Sequence, residues 1–147
     1  MLVGDFIEEC KLPNKEIVYI PHTDDTIFVH AKVYKLAFLK ENHIEWHPEL
    51  HEHQDSAFNV LARTCAKKIG RCVAPLYLWH YNEKSICRHD GIYHSPNTWP
   101  HMIDSYDAFI GDLKDRGYGQ ESSYYAKYCL YATYYEMSHE IWNKEDV

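Results

Sequence analysis

Apolar positions recur at helical spacing most clearly over residues 54–70. There Ala57, Phe58, Leu61, Ala62, Cys65 and Ile69 form a single stripe. The pattern predicts an amphipathic helix capped by Gly70, with Lys67 and Lys68 at the negative end of its dipole. Its start has two readings. Asp55 serves as N-cap, or the helix begins at Pro48, a residue tolerated in a first turn. A second helix of about ten residues is expected from Asp104 to a glycine stop at Gly117, with Gly111 its weak point. The longest helix is expected over 122–143. Tyr124, Tyr128, Tyr131 and Tyr135 lie on one of its faces, and Leu130, Tyr134, Met137 and Ile141 on another. A helix apolar on several sides is either buried or in contact with a partner.

Strand patterns fill the remainder. Residues 17–20 are β-branched and aromatic, and 21–25 carry turn chemistry. Residues 26–39 alternate imperfectly, which predicts a long strand paired back on the first. Residues 5–11 read as a short helical turn and 43–46 as a short third strand. Residues 72–81 look like a buried strand, with Pro75 marking an edge position or a bulge. A turn at 82–85 leads into 86–94 and completes a second hairpin. The expected fold class is α+β: two antiparallel β-hairpins packed on a central amphipathic helix, with two C-terminal helices. Residues 1–147 are read as one globular domain, consistent with the length.

Composition narrows the functional classes. The net charge of −7 argues against a simple basic nucleic-acid binder, although Lys67, Lys68 and Arg71 form a local basic patch. Thirteen tyrosines and four tryptophans suit half-buried faces and interfaces. Five cysteines, none in a Cys-x-x-Cys pair, point to reduced thiols and a cytoplasmic protein. No apolar run approaches the roughly 20 residues of a membrane span, and no signal segment is expected.

The densest candidate chemistry lies just before the central helix. His43, His47, His51 and His53 are interleaved with Glu45, Glu49 and Glu52. If the helix starts at Pro48, His47, His51 and Asp55 fall at i, i+4 and i+8 on one face. They would then hold Zn²⁺ or another divalent transition metal, with Glu49 as general base. The competing reading is a solvated polar first turn. Cys72, Cys87, His89 and His94, with Cys65, form a second and looser candidate for a zinc site or a Cys–His pair. Buried thiols packing as small hydrophobes are the plainer account.

Residues 33–38, then Asn42-His43-Ile44 and Asn59-Val60-Leu61, loosely resemble the core of an HNH nuclease. That resemblance implies a water-activating role for His43. It lacks the family's second helical His or Asn, since Lys67 and Lys68 occupy the region. His47-Pro48-Glu49 resembles the His-x-Glu of zinc nucleobase deaminases, but no Pro-Cys-x-x-Cys follows. Arg116-Gly117-Tyr118-Gly119-Gln120 resembles an acetyltransferase pyrophosphate loop, with Glu121 at the anion end.

Two functional expectations follow. The first is a soluble acidic interaction module, in the manner of an inhibitor, that binds a basic, nucleic-acid-handling protein through Tyr124, Tyr128, Tyr131 and Tyr135. The second is a metal-dependent hydrolase or nuclease using His47, His51 and Asp55.

Overall fold

The computed structural model describes residues 1–12, 14–25, 27–50, 53–83 and 98–144, with backbone alone at 98–100 and 135–144. Among the described residues the fold is α+β: a four-stranded sheet and four helices, the two C-terminal helices packed together.

Strand β1 (Leu2–Lys11) is the centre of the sheet. Along one edge it pairs in parallel with β4 (Gly70–Trp79), from Leu2↔Gly70 to Glu8↔Trp79. Along the other it pairs antiparallel with β2 (Ile17–His22) and, at Leu2 and Val3, with the two-residue β3 (Lys32–Val33). Residues 5–11 are therefore strand, not a helical turn. Hydrogen bonds to two neighbours hold them extended, while their side chains alone gave no clean period. The long strand expected over 26–39 reduces to β3. Leu36–Glu41 instead forms a short helix, α1, and residues 43–46 form no strand. The first hairpin is β1–β2. The second expected hairpin relied on 86–94, which lies outside the described residues; β4 pairs with β1 instead.

The register of β4 against β1 shifts on both sides of Asp5, which lies opposite Pro75. Proline has no N–H for the ladder, so an irregularity is where it fits. Next to it, Gly4 brings the two strands close. A Cβ there would stand 2.5 Å from Leu76 Cδ1.

Helix α2 (Gln54–Cys65) is the core of the helical layer, with every residue from Ser56 to Ala62 buried. Trp46 stacks on Phe58 with ring centroids 4.4 Å apart, and Tyr34 meets the same ring edge-on at 5.3 Å. Helix α3 (Thr98–Asp115) packs on α2 and on α4 (Gly119–Lys144), burying Phe109, Leu113 and Cys129. The turn between α3 and α4 is a Schellman motif. The Tyr118 N–H donates to the Leu113 carbonyl at 2.8 Å, and the Gly117 N–H to that of Lys114 at 3.0 Å. Gly117 has φ +85°, the left-handed conformation that glycine adopts without strain.

Between sheet and α2 runs the segment 25–34, fixed by side chains rather than by a ladder. Asp25 Oδ1 accepts the amides of Ile27 at 3.0 Å and Phe28 at 2.8 Å. Asp55 accepts the Val29 amide at 3.2 Å. Asn59 donates to the Ile27 carbonyl at 2.5 Å and accepts from the Tyr34 hydroxyl. The Lys32 side chain, 1% exposed, ends 3.3 Å from Asp25 and also donates to the Phe28 carbonyl. Burial lowers the Lys32 pKa and Asp25 opposes that shift. The segment also delivers Phe28 and His30 onto the sheet. There they close an aromatic cluster with Phe6, His22, Tyr77 and Trp79.

Asp25→Ala removes the acceptor of two amide N–H groups and strands a buried ammonium, so it costs about 2–4 kcal/mol. Lys32→Met leaves Asp25 its two amide donors and costs under about 1.5 kcal/mol. Urea unfolding of the two variants checks this order; equal losses would refute it.

Candidate functional site

The described part of the histidine-rich stretch before residue 51 is a loop anchored at both ends. Ile44 and Leu50 are buried in the helical core. Arg116 donates to the carbonyls of Asn42 and, at 2.8 Å, His43. The loop ends at His53, whose φ of 56° is left-handed. Ser105 Oγ donates to the His53 carbonyl at 2.8 Å and pins that reversal to α3. The central helix thus starts at Gln54 and not at Pro48. His53, in the left-handed conformation, turns the chain out of the helical path just ahead of Gln54. Asp55 stands in the first turn, not at the N-cap. The helix ends at Cys65, and Gly70 opens β4 where a C-terminal cap was expected.

The helical i, i+4, i+8 spacing therefore does not relate His47 to Asp55. His47 sits on the loop, between two carboxylates. Its Nδ1 is 3.1 Å from Glu49 Oε1 and its Nε2 is 3.1 Å from Asp112 Oδ2. An imidazole donates at both nitrogens only as the imidazolium. Glu49 is fully exposed. Its own backbone N–H, and then His47, hold its carboxyl below the usual range. Asp55 faces the other way, onto Val29. His51 lies outside the described residues, and among those described no three His, Cys, Asp or Glu side chains converge on a point that could hold a metal ion. His43 is exposed on the loop with φ 48° and is not strand-borne, unlike the His of the HNH resemblance.

Of the second candidate set, Cys87, His89 and His94 lie outside the described residues. Cys65 is buried and Cys72 half-buried, both as free thiols. Of the glycines of 116–120, Gly117 serves the Schellman turn and Gly119 opens α4.

The tyrosines of α4 divide by face. Ser122, Tyr125 and Cys129 turn toward α3. Ser122 Oγ donates to the Ile110 carbonyl at 3.1 Å, and Tyr125 meets Phe109 edge-on at 5.8 Å. Burial pushes the Cys129 thiol up to about 12 and raises the Tyr125 phenol. Tyr124 is 67% exposed, Tyr128 46% and Tyr131 69%, with Leu130 and Tyr134 each at 73%. Tyr135 is on the same helix, and its side chain is not described.

Sequence reasoning missed one place. An open groove of about 450 Å³ runs between the end of α2 and the start of α4, lined by Arg63, Thr64, Ile69, Gln120, Glu121, Tyr124 and Tyr125. Arg63, the one basic residue of α2, was the available signal. A salt-bridge chain positions it: Asp5 to Arg71 at 3.6 Å, Arg71 to Asp24 at 3.3 Å, and Asp24 to Arg63 at 4.0 Å.

The buried groups give a pH signature. Burial, with Asp55 second, pushes the Tyr34 phenol well above its ordinary 10. A group whose folded pKa is raised stabilises the fold fully below its unfolded pKa, and that contribution is lost as pH climbs toward the folded value. Melting temperature should therefore fall above pH 10, and less steeply in Tyr34→Phe; identical slopes would exclude this cause. In parallel, iodoacetamide at pH 9 should label Cys129 at least tenfold more slowly in the native protein than in urea. Equal rates would place that thiol in solvent.

No protein-family model, curated protein or solved structure compared with the chain matches it, so a functional reading rests on these residues alone.

Proposed function

We propose that this protein is an interaction module that engages another protein through the exposed tyrosine face of α4. The observation that carries the reading is the split between the two sides of that helix. Ser122, Tyr125 and Cys129 fix it to α3, while Tyr124, Tyr128, Leu130, Tyr131 and Tyr134 remain largely exposed. Large rings on an anchored helix offer contact area at little cost in side-chain entropy, which is the usual make-up of a binding hot spot.

Charge suggests the kind of partner. The chain carries −7, and the exposed Asp104, Asp107 and Asp115 stand on α3 beside the tyrosine helix. An acidic surface around aromatic anchors favours a basic partner, such as a protein surface that handles nucleic acid. Occupying that surface would make the module an inhibitor.

Affinity capture with the wild-type chain and with Tyr128→Ala and Tyr131→Ala tests this. The specific partner should be basic, should be lost about tenfold with either variant, and should elute as salt rises from about 0.1 to 0.5 M. Exposed substitutions usually shift stability by no more than about 0.5 kcal/mol, so melting temperatures should stay within about 3 °C. A partner retained equally by both variants would sink the reading, as would a large fall in melting temperature.

A further inference from the structure

The groove between α2 and α4 has two unlike walls. Arg63, Thr64 and Ile69 come from the end of α2 and the connector that follows; Gln120, Glu121, Tyr124 and Tyr125 come from the start of α4. The Arg63 guanidinium is only partly satisfied, because its ion partner Asp24 stands 4.0 Å away and is shared with Arg71 at 3.3 Å. Lys67 and Lys68, both exposed, occupy the connector between Thr64 and Ile69. On a chain of net charge −7, this corner is locally basic.

That charge selects an anion, and the rest of the lining selects which one. A guanidinium fork matches a carboxylate in bidentate geometry. Glu121 lines the same groove, so a dianionic phosphate meets about twice the repulsion that a single carboxylate does. The volume falls in the range of about 300–1,000 Å³ typical of organic ligands, so a small free acid would leave most of it to water. Apolar surface is present too. Ile69 is substantially exposed, and the Tyr124 and Tyr125 rings meet nearly perpendicular, with centroids 5.3 Å apart. The Thr64 hydroxyl and Gln120 amide supply the donors and acceptors that a peptide backbone requires.

We propose that this groove binds the C-terminal end of a peptide chain, with the terminal carboxylate on Arg63 and an apolar or aromatic last side chain against Ile69, Tyr124 and Tyr125. Capture of a chain's terminal carboxylate is an established mode of peptide recognition. The inference does not depend on the tyrosine face, since only Tyr124 belongs to both.

The test uses the full chain and immobilised random hexapeptides, one set ending in a free carboxylate and the other amidated. Capture is expected on the free-acid set, with apolar or aromatic last residues enriched. For the best peptide resynthesised in solution, amidation, Arg63→Gln and Gln120→Glu should each weaken binding about 10- to 100-fold. Gln120→Glu keeps the test decisive if Arg63→Gln disturbs folding, because Gln120 is exposed and outside the Asp24 salt-bridge chain. Equal capture on both sets, or none on either, would overturn the proposal. So would inorganic phosphate displacing the peptide at concentrations where acetate does not. The assay contains no partner protein, so its failure would leave the tyrosine-face reading standing, and the reverse also holds.

Discussion

The sheet and the helices of this protein meet through hydrogen bonds from buried side chains. The segment 25–34 has almost no ladder of its own, yet it is the layer that joins them. Asp55 and Asn59, both on α2, satisfy the backbone of Val29 and Ile27. Asp25 and Lys32 satisfy the segment from within. An unpaired buried amide or carbonyl costs about 1–3 kcal/mol, so Asp25, Asp55 and Asn59 contribute most to holding the segment once it is enclosed. The arrangement also fixes α2 in depth and rotation. Turning that helix by one residue would separate Asn59 from Ile27 and swing Phe58 away from Trp46 and Tyr34.

What the site residues do follows from that placement. Because Asp55 serves the interlayer segment, it is turned away from the loop that carries His47. Because Ile44 and Leu50 are drawn into the core, the loop between them presents its charged residues outward. His47 then finds partners on two elements, Glu49 nearby and Asp112 on α3, and becomes a tether between loop and helix. On α4 the same logic produces the opposite outcome. A strip of Ser122, Tyr125 and Cys129 holds the helix, and Tyr124, Tyr128, Tyr131 and Tyr134 stay on the surface.

Much of this was legible in the sequence where periodicity is local. The stripe through Ala57, Phe58, Leu61 and Cys65 located α2, Gly117 marked the turn before α4, and Pro75 announced the irregularity in β4. What was not legible depends on partners far along the chain. β1 places Phe6 and Glu8 on the same face, Phe6 beside His22 and Tyr77, and Glu8 hydrogen-bonded to His22 at 2.7 Å. Such a mixed face has no apolar alternation to read. Residues 26–39 alternate well enough for a strand, but Asn59, more than 25 residues on, takes the hydrogen bonds that a ladder would otherwise supply. The start of α2 was misplaced because the left-handed turn at His53 is held by Ser105, a contact with no local trace. The groove beside Arg63 is built from two segments more than 50 residues apart, and only the folded chain brings them together.

The parallel pairing of β1 with β4 has a consequence for how the chain is made. Leu2 is synthesised well before its partner Gly70, and that edge of β1 closes only once both are made. Until then the β1–β2 hairpin carries an open edge, and Phe6 waits for Tyr77 and Trp79. Non-local closure of this kind is slow compared with hairpin or helix formation. The nascent amino-terminal third therefore passes through a period in which a chaperone, or a neighbouring nascent chain, can occupy the place that β4 will later take.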